Sequence, residues 1–299
     1  MSHSHSHGNG HHAIATNRLF TTMVLNFAIT VAEVIGGLVS GSLSLISDAL
    51  HNLSDGFAII ISYIAIRLNQ KPKSLQFTFG LKRAEILAAV INASTLIVIC
   101  FFLFREAYSR LVSPSPISGG IMAGVATIGL LANVAGTLLL RSGAEKSINI
   151  RAAYLHLFSD ALSSVAVILG GLAIFFFGIT WLDPVLTILI SLYVLKQSYA
   201  IVKDAVNVIL MASPAYLSLQ AIQRELESIP GVRNIHHVHV WRLGENDVHF
   251  EAHVEVEDMR ISETSRLLKK METLLRRRFR ISHVTLQFES DICKEKQLV

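Results

Sequence analysis

Six stretches of the chain are nearly unbroken apolar runs, each close to the ~20 residues that a ~30 Å hydrocarbon core requires of a helix. They fall at 18–39, 44–67, 83–105, 118–140, 150–177 and 182–202. Proline enters only once, as Pro184 at the start of the sixth. Glycine pairs at Gly36-Gly37 and Gly170-Gly171 allow helices to approach closely. Beyond Pro214 the pattern changes to shorter elements: helix 216–229, strand 235–243, a turn at 244–247, strand 248–257, helix 262–279 and strand 282–289. The strands follow from alternation. Val238 and Val240 are set against His237 and His239, and Phe250, Ala252 and Val254 against Glu251, His253 and Glu255. Ser262 offers a hydroxyl suited to capping the second of these helices. The pattern predicts an α-helical membrane protein. Residues 18–213 form six transmembrane helices, and residues 214–299 a small αββαβ domain with an open three-stranded sheet.

Composition agrees. The 299 residues are 52% hydrophobic and only 16% charged, with a mean hydropathy of +0.50, too apolar for an ordinary soluble domain. Residues 1–213 hold 13 Lys/Arg and 9 Asp/Glu, whereas residues 214–299 hold 13 of each. The net basic charge therefore belongs to the membrane part and reflects topology, with no case for nucleic-acid binding. Arg67, Lys71, Lys73, Lys82 and Arg83 flank the connection after span two, and Arg141, Lys146 and Arg151 that after span four. The opposite side has only Arg105 and Arg110. The positive-inside bias places both termini in the cytoplasm of a multi-pass protein. Residues 1–17 read as a disordered His-rich tail, and their alternating His-Ser pattern is unlike a plain hexahistidine tag. No cleavable signal peptide is expected, because the first dozen residues are polar. Two cysteines, Cys100 and Cys293, allow no disulfide framework and no Cys-x-x-Cys site.

The chemistry sits in two of the apolar runs. Span two carries Asp48, His51 and Asp55, and span five carries His156 and Asp160, so His-x-x-Ser-Asp occurs twice. Each His and Asp are four residues apart, one turn apart on one helix face. Counted at ~1.5 Å per residue, both pairs lie roughly 9–17 Å from a helix end, near the midplane, on antiparallel helices. Ionisable groups at that depth are costly unless paired, and they mark function. Two imidazoles and two carboxylates suit a tetrahedral divalent ion and balance its charge. Zinc is the first choice, with cadmium or cobalt as minor substrates, while the missing thiolates disfavour Cu(I). Once the metal has left, two neighbouring carboxylates favour protonation, which is the behaviour a metal/proton exchanger needs. Asp48 lies on the same face, as a proton relay, a partner for His51 or a helix-end residue. Asn26, Glu33, Glu85, Asn92 and Asn133 read as interhelical hydrogen-bonding groups. An intramembrane zinc hydrolase would need three ligands, an open position and a base such as that of His-Glu-x-x-His, which is absent, so an enzyme is not expected. A membrane-bound metal sensor stands as the other alternative.

Several segments together resemble the cation diffusion facilitator family, in particular its bacterial zinc exporters. They are the His-rich start, Ala32-Glu33-Val34-Ile35-Gly36-Gly37, Ser47-Asp48-Ala49-Leu50-His51 through Asp55, Phe79-Gly80-Leu81-Lys82-Arg83-Ala84-Glu85, Ala153 through Asp160, and His236-His237-Val238-His239-Val240-Trp241. The resemblance implies a homodimer in the inner membrane, with a metallochaperone-like cytoplasmic domain. It implies Zn²⁺ efflux against H⁺ by alternating access, through a transport site of His51, Asp55, His156 and Asp160. It also implies a cytoplasmic metal site at His236, His253, Gln287 and Glu289. Two features depart from the pattern. Residues 69–81 lack the Asp and His that bind metal after span two in some members. The acid that pairs with a residue matching Lys82 is missing from Val208-Ile209-Leu210-Met211, leaving Asp204 the only acid nearby.

Overall fold

The computed structural model describes residues 9–69, 72–144, 148–244, 247–290, 292–293 and 296–299. Six long helices come first: α1 Asn9–Ser40, α2 Leu43–Asn69, α3 Ala84–Val112, α4 Gly119–Ala144, α5 Ile148–Phe177 and α6 Leu182–Ile209. Among the described residues, the helical stretches Ala84–Val112, Gly119–Arg141, Tyr154–Phe177 and Leu182–Ile209 are long and apolar enough to cross a membrane, and Asn26–Ser40 is a shorter apolar helix. The first helix starts at Asn9, ahead of the expected residue 18, because Ala13-Ile14-Ala15 continues its helix-compatible sequence. The histidines at 3, 5 and 7 lie outside the described residues, as do Glu245 and Asn246 of the predicted turn.

The chain forms two compact units, residues 1–61 with 91–201, and residues 62–90 with 202–299. In the first, α4 packs along α5 and α1 along α4. The first contact depends on small residues. A Cβ on Gly171 would meet the Ala123 backbone nitrogen at 2.8 Å and the Gly119 carbonyl oxygen at 2.9 Å. Leu45, Met122, Ala126, Val167 and Ile174 fill the interior beside this seam. The start of α2 is capped from a distance by Asp183, a fully buried carboxylate in the first turn of α6. It accepts from the Ser42 hydroxyl (2.6 Å), the Leu43 amide (2.8 Å), and the Ser44 amide (3.1 Å) and hydroxyl (2.6 Å). The free N–H groups of one helix start are thus satisfied by an acid that itself sits at a second helix start, where negative charge is favoured.

The second unit contains the αββαβ domain: α7 Leu219–Glu227, β1 Val232–Gly244, β2 Asp247–Val256, α8 Ile261–Phe279 and β3 His283–Glu289. The sheet order is β1-β2-β3, with β1 antiparallel and β3 parallel to β2. One sheet face is dry. Ile235, Val238, Val240, Phe250, Ala252 and Val254 pack there against Ile222 and Leu226 of α7 and Leu267, Met271 and Leu275 of α8. Helix α8 begins at Ile261, and Glu263 rather than Ser262 satisfies its start, accepting from the Arg260 amide at 3.0 Å.

Within the same unit, Lys82 pairs with Asp247, which also accepts from Ser282 at 2.5 Å, and Asp204 pairs with Arg242 at 2.6 Å. Burial raises the Asp247 carboxyl, but the hydrogen bonds from Lys82 and Ser282 hold it below its ordinary range. Beside it, His249 is only 4% exposed, between Trp241 and the edge of Phe79. Burial keeps the His249 imidazole below its ordinary range, against the pull of Asp247 at 3.6 Å. A histidine held neutral by folding adds stability that is complete above its ordinary value, about 6.5, and is lost as the pH falls from there through the lower native value. Acidifying the metal-free chain in detergent below about pH 6.5 should therefore lower its unfolding temperature, and His249→Phe should flatten that acid slope. An unchanged slope in the variant would show that His249 is not the group responsible.

Candidate metal centres

In the first unit, α2 presents His51 and Asp55 and α5 presents His156 and Asp160, each pair one helical turn apart, and the four converge. His51 Nε2 lies 3.5 Å from Asp55 Oδ2 and 4.0 Å from Asp160 Oδ1. His156 Nε2 lies 3.3 Å from Asp55 Oδ2 and 3.5 Å from Asp160 Oδ2. The imidazoles meet edge-on, with centroids 5.9 Å apart. A tetrahedral zinc with ~2.0–2.1 Å bonds has ligand–ligand edges of roughly 3.3–3.4 Å; His51, His156 and Asp160 each offer a ligand atom within 4.8 Å of the others, and Asp55 approaches both imidazoles at close to such an edge. The donor atoms also lack other partners. Among the described residues, Oδ2 of Asp55 and Oδ2 of Asp160 are buried without a hydrogen bond, which is costly unless a cation neutralises them.

Burial is uneven across the four. The side chains of His51 and Asp160 are 10% and 5% exposed, against 29% for Asp55 and 38% for His156. The exposed pair is one turn further toward the C-terminal end of α2 and the N-terminal end of α5, so the cluster is open on that side.

The surrounding polar groups tie helices together. Asp48 is buried and accepts from Ser163 of α5 at 2.9 Å, while His51 Nδ1 has no hydrogen-bond partner among the described residues. Asp48 thus bridges α2 to α5 one turn from the site. Asn52 donates to Glu33 of α1 at 3.0 Å, and Ser54 donates to Asn92 of α3 at 3.1 Å, both of the interhelical kind expected. Asn133 differs, being buried with neither amide atom paired among the described residues.

The second cluster is in the αββαβ domain. Strict alternation would put His236 on the sheet face opposite His237 and His239. The strand corrects this with a bulge. Between the pairs His236↔His253 and His239↔Glu251, β1 spends three residues where β2 spends two, and His237 takes a φ of 52°. The extra residue returns Val238 to the dry face and leaves His236 and His239 on the same side as His253. The rings of His236 and His253 are then 5.6 Å apart, and that of His237 is 4.9 Å from both His239 and His253.

Glu289, at the end of β3, completes the group. Its Oε1 is 2.8 Å from His236 Nε2 and its Oε2 is 3.2 Å from His253 Nδ1. Gln287, paired in register with His253, is exposed and makes no hydrogen bond to the group among the described residues. In its place the structure brings in Cys293, whose Sγ lies 3.7 Å from His253 Nδ1 and 3.6 Å from Glu289 Oε2. His236, His253, Glu289 and Cys293 each offer a ligand atom within 4.8 Å of the others. Sequence spacing did not single out Cys293. The one available signal was a cysteine four residues beyond Glu289 in an otherwise polar tail.

Comparison with known proteins agrees with this architecture. The profile of the cation efflux transmembrane domain matches residues 19–210, and that of the cation efflux protein cytoplasmic domain matches residues 214–291. The chain is 39% identical to zinc transporter ZitB of Pectobacterium atrosepticum over 99% of its length and 91% of the relative's. It is 36% identical to the metal cation efflux system protein CzcD of Cupriavidus metallidurans, covering 98% and 91% of the two chains. It is also 35% identical to a cadmium, cobalt and zinc/H(+)-K(+) antiporter of Bacillus subtilis, covering 97% and 93%. Two matched domains and relatives similar along their whole length lead to one assignment: the chain belongs to the cation efflux, or cation diffusion facilitator, family of multi-pass membrane transporters.

Proposed function

We propose that the protein exports Zn²⁺ from the cytoplasm in exchange for H⁺, with His51, Asp55, His156 and Asp160 as the transport site. The convergence of these four side chains from two helices carries the reading. Two carboxylates neutralise a divalent cargo, so the loaded site tolerates a low-dielectric setting that would reject a net charge. When zinc leaves, the carboxylates and imidazoles lose the charge that kept them deprotonated, and protons take its place. Zinc is favoured by the N2O2 donor set, and cadmium and cobalt are accepted as weaker cargo. The names of the zinc, cadmium and cobalt transporting relatives support the same substrate class.

With both termini in the cytoplasm of a bacterial inner membrane, the exposed side of the cluster, at Asp55 and His156, faces inward. The conformer described is then the one that loads zinc, and the dry side, at His51 and Asp160, is its closed outer gate. The protein works as a homodimer. Metal held by His236, His253 and Glu289 biases it toward the transport-competent arrangement by binding one state more tightly than the other.

Exchange is tested with purified protein in liposomes loaded with a zinc dye. Acidifying the side that receives zinc, which supplies the protons, should accelerate zinc movement several-fold and collapse the pH gradient in step with zinc added. Zinc flux that ignores the gradient would defeat the exchange mechanism. Tight zinc binding with no flux would favour a sensor.

A further inference from the structure

The chain beyond β3 is anchored over the cytoplasmic cluster. Lys296 pairs with Glu255 of β2 at 2.7 Å. The His237 amide then donates to the Gln297 carbonyl at 3.0 Å, and the Val238 amide to the Leu298 carbonyl at 2.7 Å. These two amides lie at the β1 bulge, on the strand's free edge. The described residues beyond β3 thus touch all three strands, with Cys293 beside Glu289 of β3 and His253 of β2, Lys296 on β2, and Gln297 and Leu298 on β1.

A second observation shows what this cluster is shaped to hold. Asn234 Nδ2 donates to Glu227 Oε1 at 3.3 Å, which turns the amide oxygen of Asn234 toward His236. That oxygen lies 3.0 Å from His236 Nδ1 and occupies that ring nitrogen, leaving Nε2 to face Glu289. Among the described residues the buried Nε2 has no hydrogen-bond partner, although Glu289 Oε1 is only 2.8 Å away; the two approach closely without the alignment of a hydrogen bond. Both side chains are 2% exposed, so a cation taken up by these two atoms would be held by them in place of water. An outer hydrogen bond on the second ring nitrogen is what orients metal-binding histidines.

We propose that Cys293 is the fourth ligand of a metal site with His236, His253 and Glu289, and that metal there fastens the C-terminal segment across the sheet. The inference rests on the cytoplasmic metal site proposed above and adds its thiolate and its structural effect. Binding releases the thiol proton to solvent and forms a metal–sulfur bond. A donor set of two nitrogens, one oxygen and one sulfur is softer than the N2O2 set of the transport site, so this site selects zinc, cadmium and cobalt and rejects manganese and magnesium.

The test uses the full chain in detergent with Asp55→Ala and Asp160→Ala, so that added cobalt reports on the cytoplasmic site. A sulfur-to-cobalt charge-transfer band in the near ultraviolet is expected. Adding Cys293→Ser should abolish the band and weaken cobalt binding at least ~10-fold, while Cys100→Ser leaves both unchanged. Cobalt bound through His236 without the band, or a band that survives Cys293→Ser, overturns the role of Cys293 and spares the three-residue site. Cobalt binding that is absent, or indifferent to His236→Ala, overturns both. A second measurement avoids the double substitution. In the otherwise native chain, zinc should slow alkylation of Cys293 by iodoacetamide at least ~10-fold, as read by mass spectrometry, and Glu289→Gln should remove the protection. Equal rates with and without zinc would overturn the proposal.

Discussion

Asp160→Ala is expected to abolish zinc transport, with proton-coupled flux in liposomes falling at least ~100-fold while the protein remains folded. Asp160 is the more deeply buried of the two carboxylates in the membrane cluster, with a side chain 5% exposed. Its removal takes away a ligand and half of the negative charge that offsets Zn²⁺. The loaded site would carry an unbalanced positive charge in a setting that solvates it poorly. Asp160→Asn keeps the volume and one neutral oxygen, and should fail nearly as badly, because charge balance is what is lost. Isothermal titration separates cargo loading from later steps, since zinc affinity should fall together with flux. Flux within a few-fold of the native chain in either variant would remove Asp160 from the transport site.

The second large effect concerns stability. Asp183→Ala should destabilise the membrane unit by about 3–5 kcal/mol, the range for removing one partner from a buried charged network. Four donors from Ser42, Leu43 and Ser44 lose their acceptor in an interior with little water to replace it. Asp183→Asn retains one acceptor oxygen and should fall between the native chain and the alanine variant. Unfolding in mixed detergent, followed by circular dichroism, measures the change. A loss under about 1 kcal/mol for Asp183→Ala would mean that the start of α2 finds other acceptors or water.

Much of this could be read in advance, for identifiable reasons. A membrane helix is written locally, since length and apolarity suffice, and the starts of α3 to α6 fall within about two residues of the runs that predict them. The His-x-x-Ser-Asp repeat was legible because a four-residue spacing puts both ligands on one face of any helix, and matched depth on antiparallel helices brings the two faces level. The sheet was legible from alternation, except where β1 slips against β2, at 232–234, 236–239 and 242–244. The bulge at His237 inserts a residue without altering the composition of β1, and so reverses the face of His236 with no local signal. The ion pair of Lys82 likewise uses Asp247, from a strand far along the chain, instead of an acid at the end of α6.

From its sequence, then, this chain carries its helices, its strands and the two halves of its proposed cargo site, because each depends on periodicity within one element. Which distant groups meet was settled by tertiary structure. Asp183 reaches the start of α2 across a sequence separation of 139 to 141, and Cys293 reaches His253 across one of 40. Contacts at such separations depend on how packed elements place chain segments side by side. A buried carboxylate without its donors, or a buried histidine nitrogen without a partner, becomes a constraint only once the surrounding fold has excluded water.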